Sequence, residues 1–141
     1  ELAKELGATH TINSTKEDPV EKIKEITGSG ANYSFETTGV NTVTLQAIRC
    51  LKVKGTMATV AVGKKDLTLN VTNEIVIKEN VKGVIEGDAV PQLFIPKLVD
   101  FYQKGLFPFD KLVKFYSFND IEKAFEDSKN GSTIKPIIVM E

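Results

Sequence analysis

Apolar positions along this chain switch repeatedly between a helical spacing and an extended one. Val20, Ile23 and Ile26 mark one face of a helix that ends near Gly28. Thr44, Ala47, Ile48 and Leu51 follow the i, i+3, i+4, i+7 rule and share a face of the next helix. Phe94, Leu98, Phe101 and Tyr102 predict a third helix, stopping at Gly105. Ile121, Ala124, Phe125 and Ser128 predict a fourth over 119–129, ended by Gly131. Residues 1–6 read as the last turns of a helix with Gly7 as its stop. Between these lie extended stretches at 8–13, 31–37, 56–62, 81–87, 113–118 and 134–140. The run 56–62 is continuously small and apolar, which suits a parallel strand covered on both faces. Residues 67–71 alternate and read as a short strand, followed by a brief helix around 74–78.

Local signals punctuate this pattern. Thr15 and Asp18 have capping-box spacing, and Pro19 fits a first helical turn. Asn41 is placed to cap the helix that follows it. Pro91, Pro96 and Pro108 predict a looser region. Strands alternating with helices predict an α/β fold with a parallel sheet.

Composition narrows the chemistry. The chain has 141 residues, enough for one ordinary domain with its own core. Its net charge of −1 gives no reason to expect nucleic acid or a membrane surface as a partner, and no apolar run reaches the length of a membrane span. There is one cysteine, Cys50, and one histidine, His10. A lone cysteine makes no internal disulfide, which fits a reducing compartment and predicts a cytoplasmic location. A zinc site needs three or four clustered ligands, so no metal ligand is assigned here. No strained nucleophile turn accompanies His10, which reads as an exposed edge-strand residue. Cys50 reads as a small packed hydrophobe. Lys52, Lys54, Lys64 and Lys65 form a basic cluster without interleaved aromatics, so solvated loops account for it better than a nucleic-acid site.

The order Gly7-Ala8-Thr9, then Phe35-Glu36-Thr37-Thr38-Gly39, then 55–62, then Lys82-Gly83 resembles the zinc-containing medium-chain alcohol dehydrogenases. Residues 86–92, 107–113 and 132–136 resemble the aryl-alcohol (benzyl alcohol) branch. The resemblance covers essentially the whole chain and rests on order and spacing rather than on one motif. It implies a partial Rossmann-like, doubly wound parallel sheet without its first two strands, plus a C-terminal segment of the catalytic domain. The implied division is 1–105 for the coenzyme domain and 106–141 for the returning segment. The chain then reads as an inactive fragment of an NAD-dependent enzyme, NADP remaining open, that interconverts an alcohol and an aldehyde. The zinc of such an enzyme would be bound outside this chain, and no catalytic residue is assigned within it.

The resemblance also implies coenzyme contacts. Thr37 and Thr38 end a strand where ligands sit in this fold, with Thr38 beside the adenosine. Val60, Ala61 and Val62 match the segment whose backbone meets the nicotinamide end. Val84, Ile85 and Glu86 match the segment whose main chain faces the carboxamide. Lys135 matches a basic position that contacts the pyrophosphate. Each has a plainer reading: Lys135 as a solvated strand residue, Thr37-Thr38-Gly39 as a strand end and turn, 60–62 as buried strand, and Glu86 as a surface carboxylate. In the doubly wound order, the strand at 32–37 would present an unpaired edge. That edge predicts poor stability, dimerisation or aggregation of the isolated chain. The strand near 81–87 is the opposite edge, through which the resemblance implies a homo-oligomer. Two other readings remain: a zinc-free quinone oxidoreductase of the same superfamily, and a non-catalytic α/β nucleotide-binding or interaction module.

Overall fold

A computed structural model describes residues 1–63, 65–78 and 80–140. Lys64 of the basic cluster therefore lies outside the described residues. The chain divides into two compact units, Glu1–Ala89 and Val90–Glu141. The boundary between them in sequence falls ahead of the helix that stops at Gly105, whereas the sequence reading divides the chain after it. No helix among the described residues is long and apolar enough to cross a membrane.

The first unit opens with helix α1 (Leu2–Glu5) and helix α2 (Pro19–Thr27). Asp18 caps α2 directly: its carboxylate accepts from the Val20 N–H at 2.7 Å and the Glu21 N–H at 3.2 Å. Thr15, the expected partner in a capping box, instead donates its N–H and hydroxyl to the Asn13 side chain at 3.0 and 2.7 Å. Strand β1 (Ala31–Glu36), helix α3 (Asn41–Arg49), strand β2 (Leu51–Thr59) and strand β3 (Asn80–Gly83) follow. The sheet has the order β1-β2-β3 and is parallel throughout. Tyr33 and Phe35 of β1 are 78% and 64% exposed. Ile48 of α3 packs with Leu51 and Met57 of β2, with Ala31, Ala47 and Leu69 around them. Each of those three side chains contributes roughly 1.5–3 kcal/mol by leaving water.

Several expectations are corrected. Residues 8–13 form no strand, because an extended segment becomes one only by pairing and no partner for it exists among the described residues. Strand β2 starts at Leu51 and ends at Thr59, so 60–62 lie beyond it. The helical face assigned to Leu51 is therefore a strand position that reaches the same core. Residues 67–70 form no strand; Leu69 instead packs against the core. A π-helix, Val71–Val76, replaces the helix expected near 74–78. Asn41 does not cap α3; its amide donates to the Asp66 carbonyl at 2.7 Å.

One close crossing fixes the sheet. Gly30 has φ +107, and a Cβ there would lie 2.5 Å from the Lys52 nitrogen and 2.8 Å from the Cys50 carbonyl oxygen. Only glycine allows the chain to enter β1 this close to β2.

The second unit begins with helix α4 (Pro91–Gln103). Pro91 occupies the first turn, where its missing N–H costs nothing, and Pro96 lies inside the helix. The expected looseness is thus absent over this stretch. Strand β4 (Val113–Ser117), helix α5 (Ile121–Asn130) and strand β5 (Lys135–Val139) complete the unit. β4 and β5 pair in parallel, from Val113 opposite Lys135 to Ser117 opposite Val139.

Candidate functional site

Parallel pairing sends the carboxyl ends of β1, β2 and β3 to one edge. Glu36 stands opposite Thr59, and Thr59 opposite Gly83. The ladder runs one step past each strand: the Val60 N–H donates to the Glu36 carbonyl at 3.1 Å, and the Val84 N–H to the Thr59 carbonyl at 2.9 Å. Residues 37–39, 60–63 and 84–88 therefore leave the sheet side by side. This is the place where ligands bind in open parallel sheets. Eight of the nine residues singled out from sequence fall on it: Thr37, Thr38, Val60, Ala61, Val62, Val84, Ile85 and Glu86.

Beneath this edge lies a buried carboxylate that the sequence reading passed over. Glu36 is 2% exposed. Its Oε1 accepts from the Thr38 N–H at 2.6 Å, the Thr38 hydroxyl at 2.5 Å and the Gly39 N–H at 3.1 Å. Its Oε2 accepts from the Thr59 hydroxyl at 3.2 Å. Burial alone pushes this carboxyl up, but the donors from Thr38, Gly39 and Thr59 outweigh it and hold it below its ordinary value. The signal for this role was a Glu ending a strand with Thr two residues on and Gly three residues on, spacing that returns local donors to a side-chain oxygen.

The turn above Glu36 is tightly built. The Thr38 hydroxyl accepts from the Val40 N–H at 3.1 Å while donating to Glu36. Gly39 has φ +68, and a Cβ on it would meet the Val62 carbonyl oxygen at 2.8 Å. Helix α3 then starts without a side-chain cap. Thr38, Gly39, Val40, Asn41, Thr42, Val62 and Lys65 line an open hollow of about 440 Å³. Thr37, Thr38 and Val60 are exposed and Ala61 is half-buried. Beyond β3, Ile85 is 82% exposed. Glu86, Gly87 and Asp88 follow with φ of +48, +66 and +52, a left-handed turn closed by the Asp88 N–H on the Ile85 carbonyl. Non-glycine residues held this way store backbone strain.

Away from this edge, Glu74 of the π-helix is 4% exposed. The Asn70 N–H at 2.8 Å holds its carboxyl below the usual range against burial, helped by Arg49 Nε at 2.5 Å. Lys78 donates to the Leu51 carbonyl. Cys50 is buried, and burial pushes its thiol up, as expected of a packed hydrophobe.

Lys135, the ninth residue, is exposed at the start of β5 in the second unit. The turn leading to it is pinned by a side-chain network. Tyr116 donates to Asp127 Oδ2 at 2.8 Å and accepts from the Thr133 hydroxyl at 2.6 Å. The Thr133 N–H donates to the Asp127 carbonyl at 3.1 Å. Lys123 Nζ lies 3.1 Å and Lys114 Nζ 3.6 Å from Asp127 Oδ2. The Tyr116 hydroxyl, then Lys123, lower the Asp127 carboxyl to about 2.

Among the described residues, no three His, Cys, Asp or Glu side chains come together to hold a metal ion.

Comparison with known proteins gives this geometry its context. The family described as zinc-binding dehydrogenase matches residues 1–104. A geraniol dehydrogenase of Castellaniella defragrans is 40% identical, over 98% of this chain and 38% of its own length. Benzyl alcohol dehydrogenase from Acinetobacter calcoaceticus superposes with a TM-score of 0.94 at 44% identity, over 99% of this chain and 39% of that one. An alcohol dehydrogenase zinc-binding domain protein from Burkholderia ambifaria superposes with a TM-score of 0.93, also at 44% identity, over 99% of this chain and 38% of that one. The chain thus spans under two-fifths of the length of these relatives. Its parallel α/β architecture is theirs over that span, and it belongs to the zinc-binding dehydrogenase family.

Proposed function

We propose that this chain is the coenzyme-binding part of an oxidoreductase that transfers hydride between an alcohol, of aryl or benzyl type, and NAD. The observation that carries the reading is the convergence of 37–39, 60–63 and 84–88 on one edge of a parallel sheet. NAD, when bound, supplies the hydride acceptor. The chain's own residues would bind and orient it. Thr38, Val40 and Val62 offer a partly apolar wall of the right character for a flat base and ribose. Past the ladder N–H groups of Val60 and Val84, the backbone of 61–62 and the N–H groups of 85–86 would meet the coenzyme. Lys135 would contact the pyrophosphate as a point charge. We assign the coenzyme domain to 1–105 and the segment 106–141 to the domain that completes the enzyme. The described residues do not fit a zinc ion, so no step is routed through one, and none of them is assigned to the chemistry.

The test is amide-resolved NMR of the chain titrated with NAD, NADP and ADP-ribose, together with turnover by the longest natural polypeptide that contains this sequence. The expected result is NAD-dependent oxidation of benzyl alcohol, with perturbations concentrated at 37–39, 60–63 and 84–86. Perturbations confined to other residues would overturn the site. Turnover of quinones but not alcohols would replace the substrate class.

A further inference from the structure

Glu36 is a buried carboxylate, and among the described residues no cation pairs with it. Such a group costs several kcal/mol to bury unless its lone pairs are filled. Here they are filled by the turn that leaves β1 and by the Thr59 hydroxyl on the neighbouring strand. Thr38 gives both of its donors to the same oxygen. Three consequences meet in one place. The carboxylate fixes the Thr38 backbone and hydroxyl rotamer. It draws the Gly39 N–H inward, bringing Gly39 against the Val62 carbonyl. It also ties the exit of β1 to the end of β2, so the two walls of the 440 Å³ hollow keep their spacing.

We infer that Glu36 is a positioning residue for the adenosine end of the coenzyme, acting through the Thr38-Gly39 turn rather than by touching the ligand. The inference rests on the coenzyme reading above and names a residue that reading does not use. The competing account is that Glu36 only stabilises the fold. The two differ in what a folded molecule binds. A purely structural role lowers the folded fraction but leaves the affinity of each folded molecule unchanged. A positioning role weakens the adenosine half selectively, because the 84–86 segment is held by the β2–β3 ladder and not by Glu36.

The test uses the longest natural polypeptide containing this sequence. AMP, nicotinamide mononucleotide and NAD are titrated calorimetrically into the wild type and into Glu36→Ala, Glu36→Gln and Thr59→Val, with affinities scaled to the folded fraction. Glu36→Ala removes every acceptor and is expected to weaken AMP about tenfold, the scale of one or two lost positioning hydrogen bonds. Nicotinamide mononucleotide should change less than about twofold on the same scale. If Glu36→Ala does not fold, Glu36→Gln decides, since it keeps the shape and loses the charge that strengthens each bond. It should weaken AMP about threefold. Thr59→Val, which cuts only the link to β2, should fall between wild type and Glu36→Gln. Unchanged AMP affinity in the folded Glu36 variants, or equal loss for both halves, overturns the inference and leaves the coenzyme reading intact. A wild type that binds neither AMP nor NAD overturns both.

Discussion

Glu36 and Asp127 are both carboxylates held below their ordinary values, one in each unit, yet they are held by different means. Glu36 takes two of its partners from the backbone of the next three residues, and its donors shape a turn. Asp127 is bound by Tyr116 and two lysines, and its side-chain partners join helix α5 to strand β4. The first arrangement fixes main chain where a ligand would bind. The second fixes elements relative to one another and leaves the main chain to its own ladder. What separates the two is therefore where the donors sit: those of Glu36 shape the strand-end turn of the candidate site, whereas those of Asp127 pack elements together.

The contrast breaks most completely if the sheet under Glu36 is disrupted. Gly30→Ala places a methyl against backbone that cannot retreat and is expected to cost more than about 4 kcal/mol. Loss of the cooperative melt of the first unit would be seen by circular dichroism, and a midpoint within a few degrees of wild type would refute the crossing. Met57→Ala empties the core below the same edge, at about 2–5 kcal/mol in urea denaturation.

Acid sharpens the contrast from the other side. Asp127 is ionised more readily in the folded chain than in the unfolded one. Its contribution is fully present above its ordinary value of 3.8 and is lost as pH falls from there to about 2. Carbon-detected titration should show the Asp127 carboxyl near that lower value, and Tyr116→Phe should raise it by removing the leading donor. An unchanged titration in Tyr116→Phe would show that the lysines alone hold it. The smallest effect is expected at Lys54, which sits at φ +63 inside β2. Lys54→Gly relieves that conformation and should stabilise by about 0.5–1 kcal/mol, read as a rise in the urea midpoint.

Much of the fold was legible where a helix carried its own start and stop. Asp18-Pro19 and Gly28 bracket α2, and Gly131 ends α5. Alternation misled at 67–71, because an extended coil that buries Leu69 shows the same pattern as a strand, and only pairing separates them. Pro96 misled because its neighbours, not its own propensity, keep α4 continuous. For the site, the end of β1 was readable from Thr37-Thr38-Gly39, whereas the apolar run to Val62 overran the end of β2 at Thr59, because apolar residues continue past the ladder. Glu36 was passed over: the Thr and Gly two and three residues on were a weak local signal, and its burial depends on Thr59, which only strand pairing brings opposite it.

Strand β2 carries a detour whose consequence reaches beyond stability. Between Ala31 and Tyr33, β1 advances two residues while β2 advances five, from Leu51 to Thr56. The slack is taken up near Lys54, whose N–H leaves the ladder for the Ile77 carbonyl. Strand alternation is counted afresh after such a bulge. The face that Met57 presents and the place where Thr59 meets Glu36 are therefore set by the pairing from Tyr33–Thr56 onward, not by the count from Leu51. The segment works as a phase break: the register at the entry of β1 and the register at the edge beyond the bulge are set independently.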